Sequence, residues 1–134
     1  TSLAEEEILT RVIIPPLPSR SGIDYIRFSS SSVVDKPSVG VAVRLTLSAG
    51  TETIETARIV LGCVGATPVR ARKAEAALTG RKVTIELAEK AGAMATQECN
   101  PIGDLRGSEH YKRAIVGTLV RRAAGRAYER AVGV

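Results

Sequence analysis

Three groups of residues have the types and spacing to do chemistry. Gly62-Cys-Val-Gly65-Ala-Thr67 stands between an apolar run and a helix start. Backbone N–H groups at such a junction can cradle a phosphate. The stretch lacks both the GxGxxG and the GxxxxGK(S/T) patterns. A tight turn, with Thr67 as helix cap and Pro68 at the first helical position, accounts for the same residues. Arg70, Arg72 and Lys73 fall on the first turns of that helix, where the dipole does not favour them. They call for a bound anion, a partner surface, or solvent. His110, the single histidine, sits one turn into the last helix as a surface or packing residue, with no base–nucleophile geometry implied.

Other catalytic constellations are missing. No serine stands in a GxSxG elbow, and no histidine or carboxylate cluster has metal spacing. Cys63 and Cys99 form no CxxC and read as two buried or half-buried free thiols. No catalytic residue and no metal ligand is therefore expected.

These residues need elements to hold them. Residues 7–14 are β-branched and almost continuously apolar, which predicts a strand buried on much of both faces, ended by Pro15-Pro16-Leu17-Pro18. Residues 24–28 fit either a helical turn or a short strand. Val39, Val41, Val43, Leu45 and Leu47 alternate with smaller or polar residues, the period-two pattern of a strand. A turn at Ser48-Ala-Gly-Thr51 returns a second strand over 53–61, so the two form an antiparallel hairpin.

Three helices follow: 68–78, ended by Thr79-Gly80; 84–97, stopped by Asn100-Pro101; and a long one from the Ser108 cap to about residue 131. On the last, Tyr111, Ile115, Thr118 and Leu119 share a face and Arg122 falls in line, with Asp104 as its expected partner. Strands followed by segregated helices give an α+β fold, an antiparallel sheet of three to four strands packed on three helices.

A chain of 134 residues fits one domain, 1–134, with a core of Val, Ile, Leu and Ala, since it has one Phe, three Tyr and no Trp. No apolar run reaches the length of a membrane span. Ser2-Leu-Ala-Glu-Glu-Glu7 has no secretory pattern, so a cytoplasmic location is expected. The net charge of +5 is concentrated at one end: residues 1–105 hold 12 basic and 12 acidic side chains, residues 106–134 seven and two. That end reads as a solvated helix face or as a non-enzymatic interaction module for an acidic partner. Without interleaved aromatics or a nucleic-acid motif, nucleic acid is not an expected partner.

Arg58-Ile-Val-Leu-Gly-Cys-Val-Gly-Ala-Thr-Pro-Val-Arg-Ala71, with Ala74-Glu75 and Leu78-Thr-Gly80, resembles the C-terminal domain of the FAD-binding medium subunit of molybdenum hydroxylases. This is the carbon monoxide dehydrogenase and xanthine dehydrogenase family. Asp104-Leu-Arg-Gly-Ser108, Tyr111-Lys-Arg113 and Arg122-Ala123 match its last-helix signature, and Ile13-Ile-Pro15, Tyr25 and Asp35 match more loosely. The resemblance implies an antiparallel sheet on three helices. It also implies a complete subunit that holds FAD and passes electrons from iron–sulfur clusters, beside a subunit carrying molybdenum. The FAD-binding domain that precedes this one in such subunits is not expected within residues 1–134, nor is tight FAD binding by this domain alone. The resemblance places residues 28–38 near the flavin, with Phe28, Asp35 and Ser38 as supplementary FAD contacts. It implies as partners the FAD-binding domain and the iron–sulfur and molybdenum subunits. The family's basic residues before the aspartate are replaced here by Ser29–Ser32 and Val33-Val34.

Overall fold

The computed structural model describes residues 3–29 and 36–133. Four strands, β1 (Ser21–Phe28), β2 (Val39–Leu47), β3 (Ile54–Gly62) and β4 (Val69–Arg70), form one antiparallel sheet in sequence order. The helices α1 (Arg72–Leu78), α2 (Ile85–Glu98) and α3 (Glu109–Val132) follow. The α+β fold is as the sequence predicts, and the ambiguous segment at 24–28 is the main part of β1.

The alternating residues of β2 carry the core. Val39, Val41, Val43 and Leu45 are fully buried, with Ile59 and Leu61 of β3 beside them. In register, Val43 faces Ile59 and Val41 faces Leu61. Each such side chain contributes about 1.5–3 kcal/mol by leaving water. The helices meet this surface with small residues: Ala123, Ala124 and Ala127 of α3 and Ala91 and Ala95 of α2 are all fully buried. Two glycines set the approach. A Cβ at Gly22 would stand 1.9 Å from the Ala127 carbonyl oxygen, and one at Gly92 would stand 2.5 Å from that of Gly117. Glycine thus lets α3 lie directly on β1, and α2 directly on α3, so few aromatics are needed.

Several expectations fail. Residues 7–14 form no strand: Ile8, Val12, Ile13 and Ile14 are 71–86% exposed. The run has strand composition, but no strand of this sheet runs beside it. The first helix begins at Arg72 rather than 68, because Val69 and Arg70 pair with Leu61 and Val60 and the Ala71 N–H donates to the Ile59 carbonyl at 3.0 Å. Tertiary pairing overrides the Thr67-Pro68 start signal, and Thr67 caps nothing. Glu98, at the end of α2, instead accepts from the Lys73 and Ala74 N–H groups at 3.0 and 3.1 Å.

The buried stripe of α3 is Val116, Leu119, Val120, Ala123, Ala124, Ala127 and Ala131; of the expected face, Leu119 is buried and Ile115 packs against the core, while Tyr111 and Thr118 are exposed. Small residues weigh little in an apolar periodicity, yet they mark the closely packed side. Cys63, finally, is exposed, while Cys99 is buried; both are free, and burial pushes the Cys99 thiol up, with Arg113 partly opposing. Ser108 caps α3 as predicted, accepting from Tyr111 N–H; Thr84, expected as the first residue of the second helix, is instead its cap, accepting from Leu87 N–H; and Gly80 is left-handed with φ 78°.

Candidate functional site

The corner after β3 and the loop before α3 are distant in sequence, and the fold brings them to one cleft of about 300 Å³. It is lined by Pro37, Cys63, Gly65, Ile102, Asp104, Arg106 and Lys112. Asp104 and Gly107 exchange backbone hydrogen bonds at 3.1 and 3.0 Å, which closes the loop. Lys112 projects from α3 into this loop and is buried. Its Nζ donates to the Ile102 carbonyl at 2.8 Å and lies 2.8 Å from Asp104 Oδ1. Burying an ammonium is costly unless it is paired and hydrogen-bonded, and both conditions are met here. The Lys112 ammonium and the Arg106 N–H hold the Asp104 carboxyl below its ordinary range. Asp104 therefore pairs with Lys112, not with Arg122 as the sequence suggested; Arg122 has no ion pair among the described residues.

The expected flavin-side residues meet the same loop. Ser38 is buried; its N–H donates to the Phe28 carbonyl at 2.8 Å and its Oγ to the Arg106 carbonyl at 3.1 Å. Phe28 packs edge-on against Tyr111, ring centroids 6.5 Å apart. A shallow cleft of about 290 Å³ runs from this pair along Ile115, Thr118 and Arg122. Phe28 and Ser38 are thus brought together; Asp35 lies outside the described residues. His110 is exposed and lines neither cleft.

The 62–67 corner is filled by its own chain. Val64 is buried and its carbonyl accepts from Asn100 N–H at 2.9 Å. A Cβ at Gly65 would meet Val69 Cγ2 at 2.9 Å and the Thr67 carbonyl oxygen at 3.2 Å. That space is needed for self-packing, and Cys63 turns the chain in a left-handed conformation, φ 62°. Arg70 is not awaiting an anion either. Its Nε and Nη2 each donate to Glu75 at 2.6 Å, while the Ile59 N–H donates to Glu75 Oε1 at 2.8 Å. Burial pushes the Glu75 carboxyl up, but Arg70 and the Ile59 N–H outweigh it and hold the carboxyl low.

Sequence reasoning missed Lys112, Glu98 and Arg113 as keystones. Arg113 Nη1 donates to the Thr96 and Cys99 carbonyls at 2.9 and 2.8 Å, closing the end of α2. Arg113 and Lys112 stand within the Tyr111-Lys-Arg113 signature, which was the available signal. The basic excess at the C-terminal end is largely committed internally: Arg106 and Lys112 engage Asp104, Arg121 faces Glu89, and Arg126 and Arg130 face Asp24.

The sequence profile of the CO dehydrogenase flavoprotein C-terminal domain matches residues 25–127. The chain belongs to that family. The carbon monoxide dehydrogenase medium chain of Afipia carboxidovorans is 34% identical over 131 residues, 98% of this chain and 44% of that one. The nicotine 6-hydroxylase medium subunit of Paenarthrobacter nicotinovorans is 34% identical over 123 residues, 91% of this chain and 41% of the relative. Among solved structures, the carbon monoxide dehydrogenase of Hydrogenophaga pseudoflava that lacks the Mo-pyranopterin moiety superposes with a TM-score of 0.81 at 35% identity. The match covers 87% of this chain and 40% of that one. The chain spans less than half the length of the relatives it matches.

Among the described residues, the 62–67 corner has no open cradle for a diphosphate, and the Arg106 and Lys112 cations on the cleft engage Asp104 and the Ile102 carbonyl. Among the described residues no group of His, Cys, Asp or Glu could hold a metal ion, and no helix is long and apolar enough to cross a membrane.

Proposed function

We propose that the chain is the C-terminal domain of a flavoprotein oxidoreductase subunit in a molybdenum hydroxylase complex, where it packs beside the flavin and docks neighbouring protein. The observation that carries this reading is the convergence of both family signatures on one cleft at the Phe28–Ser38 junction. Pinned by Ser38 to the Arg106 carbonyl and by Lys112 to Asp104, that end forms a rigid edge. Such an edge suits supplementary contacts, Phe28, Asp35 and Ser38, to a flavin whose diphosphate is held by a preceding domain. Iron–sulfur and molybdenum subunits are the partners this reading assigns.

The exposed run of Ile8, Leu9, Val12, Ile13 and Ile14 supports it. Five large aliphatics in water cost several kcal/mol of unrealised burial, and a neighbouring domain would cover them. FAD fluorescence titrations test the reading. The chain alone should leave the flavin signal unchanged; adding it to the preceding half of a carbon monoxide dehydrogenase medium chain should give a complex with altered flavin emission. Neither association nor altered emission would count against it. The competing idea of a free basic helix for an acidic partner loses ground, because most of those cations are engaged within the chain.

A further inference from the structure

The helices cover only one face of the sheet, and the other face carries an unusual arrangement. Arg44 of β2 stands directly opposite Arg58 of β3 in register, and Ile23 of β1 faces Arg44 from the other side. Like charges directly opposite one another destabilise a sheet. Among the described residues neither guanidinium has an ion-pair partner within the chain. The Glu75 carboxylate, which feels the Arg58 charge, is already taken by Arg70. Arg44 Nε is buried with no hydrogen-bond acceptor, an orphaned donor on a cationic group. Beside this pair, Ile23 and Tyr25 are 45% and 59% exposed, and Tyr25 leans over Gly40, whose Cβ would meet its hydroxyl at 3.1 Å.

We propose that this open face docks an acidic protein partner, whose carboxylates sit between Arg44 and Arg58 and whose apolar side chains cover Ile23 and Tyr25. The charge supplies the choice of occupant. A carboxylate accepts bidentately from guanidinium and would turn a repulsive pair into a shared clamp. Apolar cover on the same face would exclude water and strengthen the clamp. The proposal extends the docking role given above, and it can fail while the flavin reading stands.

The test uses the full chain and a fluorescein-labelled peptide of alternating Glu and Leu, with the Gln–Leu peptide as its neutral counterpart. The acidic peptide should bind and weaken as salt rises, and the neutral one should not bind. Arg44→Thr and Arg58→Thr should each weaken binding about tenfold. Arg72→Thr, which removes an exposed charge on α1, should leave it unchanged. Because the two guanidiniums repel each other, both sheet variants should melt no lower than the parent chain. The proposal is overturned by absent binding, by equal binding of the neutral peptide, or by affinities unmoved in both sheet variants. A lower melting point in Arg58→Thr contradicts its premise, and an oligonucleotide that outcompetes the peptide reassigns the face to nucleic acid. Failure of the flavin reading would appear separately, in the emission titration.

Discussion

The two faces of this sheet obey different rules. On the covered face, Val41, Val43, Ile59 and Leu61 pair across strands and meet alanines of α2 and α3, so local pattern and tertiary packing agree. On the open face, Arg44 and Arg58 stand opposite each other, with Tyr25 and Ile23 exposed beside them. One face is made to fold the chain; the other departs from what folding alone would select. Departures of that kind mark contact with something else.

The covered face is most sensitive at its tightest point. Gly22→Ala places a methyl group against the Ala127 carbonyl oxygen, where backbone must move. It should cost about 3 kcal/mol or more, measured by urea denaturation. Ile59→Ala, in the same covered face, leaves a cavity and should cost about 3 kcal/mol in the same experiment. Glu75→Gln keeps the shape but removes the charge that the Arg70 fork and the Ile59 N–H address, for about 1–3 kcal/mol.

Glu75 also sets a pH dependence. Its folded pKa is depressed, so its contribution is complete above the ordinary glutamate value of about 4.3. It is lost as pH falls through the folded pKa. Melting curves below that value should drop more steeply for the parent chain than for Glu75→Gln. The smallest effect sharpens the contrast. Arg58→Thr on the open face should raise stability by about 0.5 kcal/mol, the reverse sign of every change on the covered face.

Much of the covered face was legible in sequence. The alternation from Val39 to Leu47 and the short turn after it sufficed for the hairpin, and Thr84 and Ser108 marked two helix starts. The side of α3 that packs was legible only at Ile115 and Leu119, because alanine and glycine carry its close approach and add little to an apolar pattern. The start of α1 was obscured for another reason. Thr67-Pro68 is a sound local signal, but Val69 and Arg70 gain more by extending the sheet. Residues 7–14 have the composition of a buried strand but form none, because composition alone does not supply a paired neighbour. At the candidate site, Phe28 and Ser38 were named through family likeness alone. That Ser38 reaches Arg106, or that Lys112 is buried on Asp104, depends on contacts between segments far apart in the chain.

Amide hydrogen exchange on the chain, free and mixed with the preceding half of a carbon monoxide dehydrogenase medium chain, tests the division of labour most directly. New protection is expected at residues 7–14 and at the Phe28–Ser38 junction, with exchange across the buried stripe of α3 unchanged. Protection confined to α3, or none at 7–14 and the junction, would contradict that division.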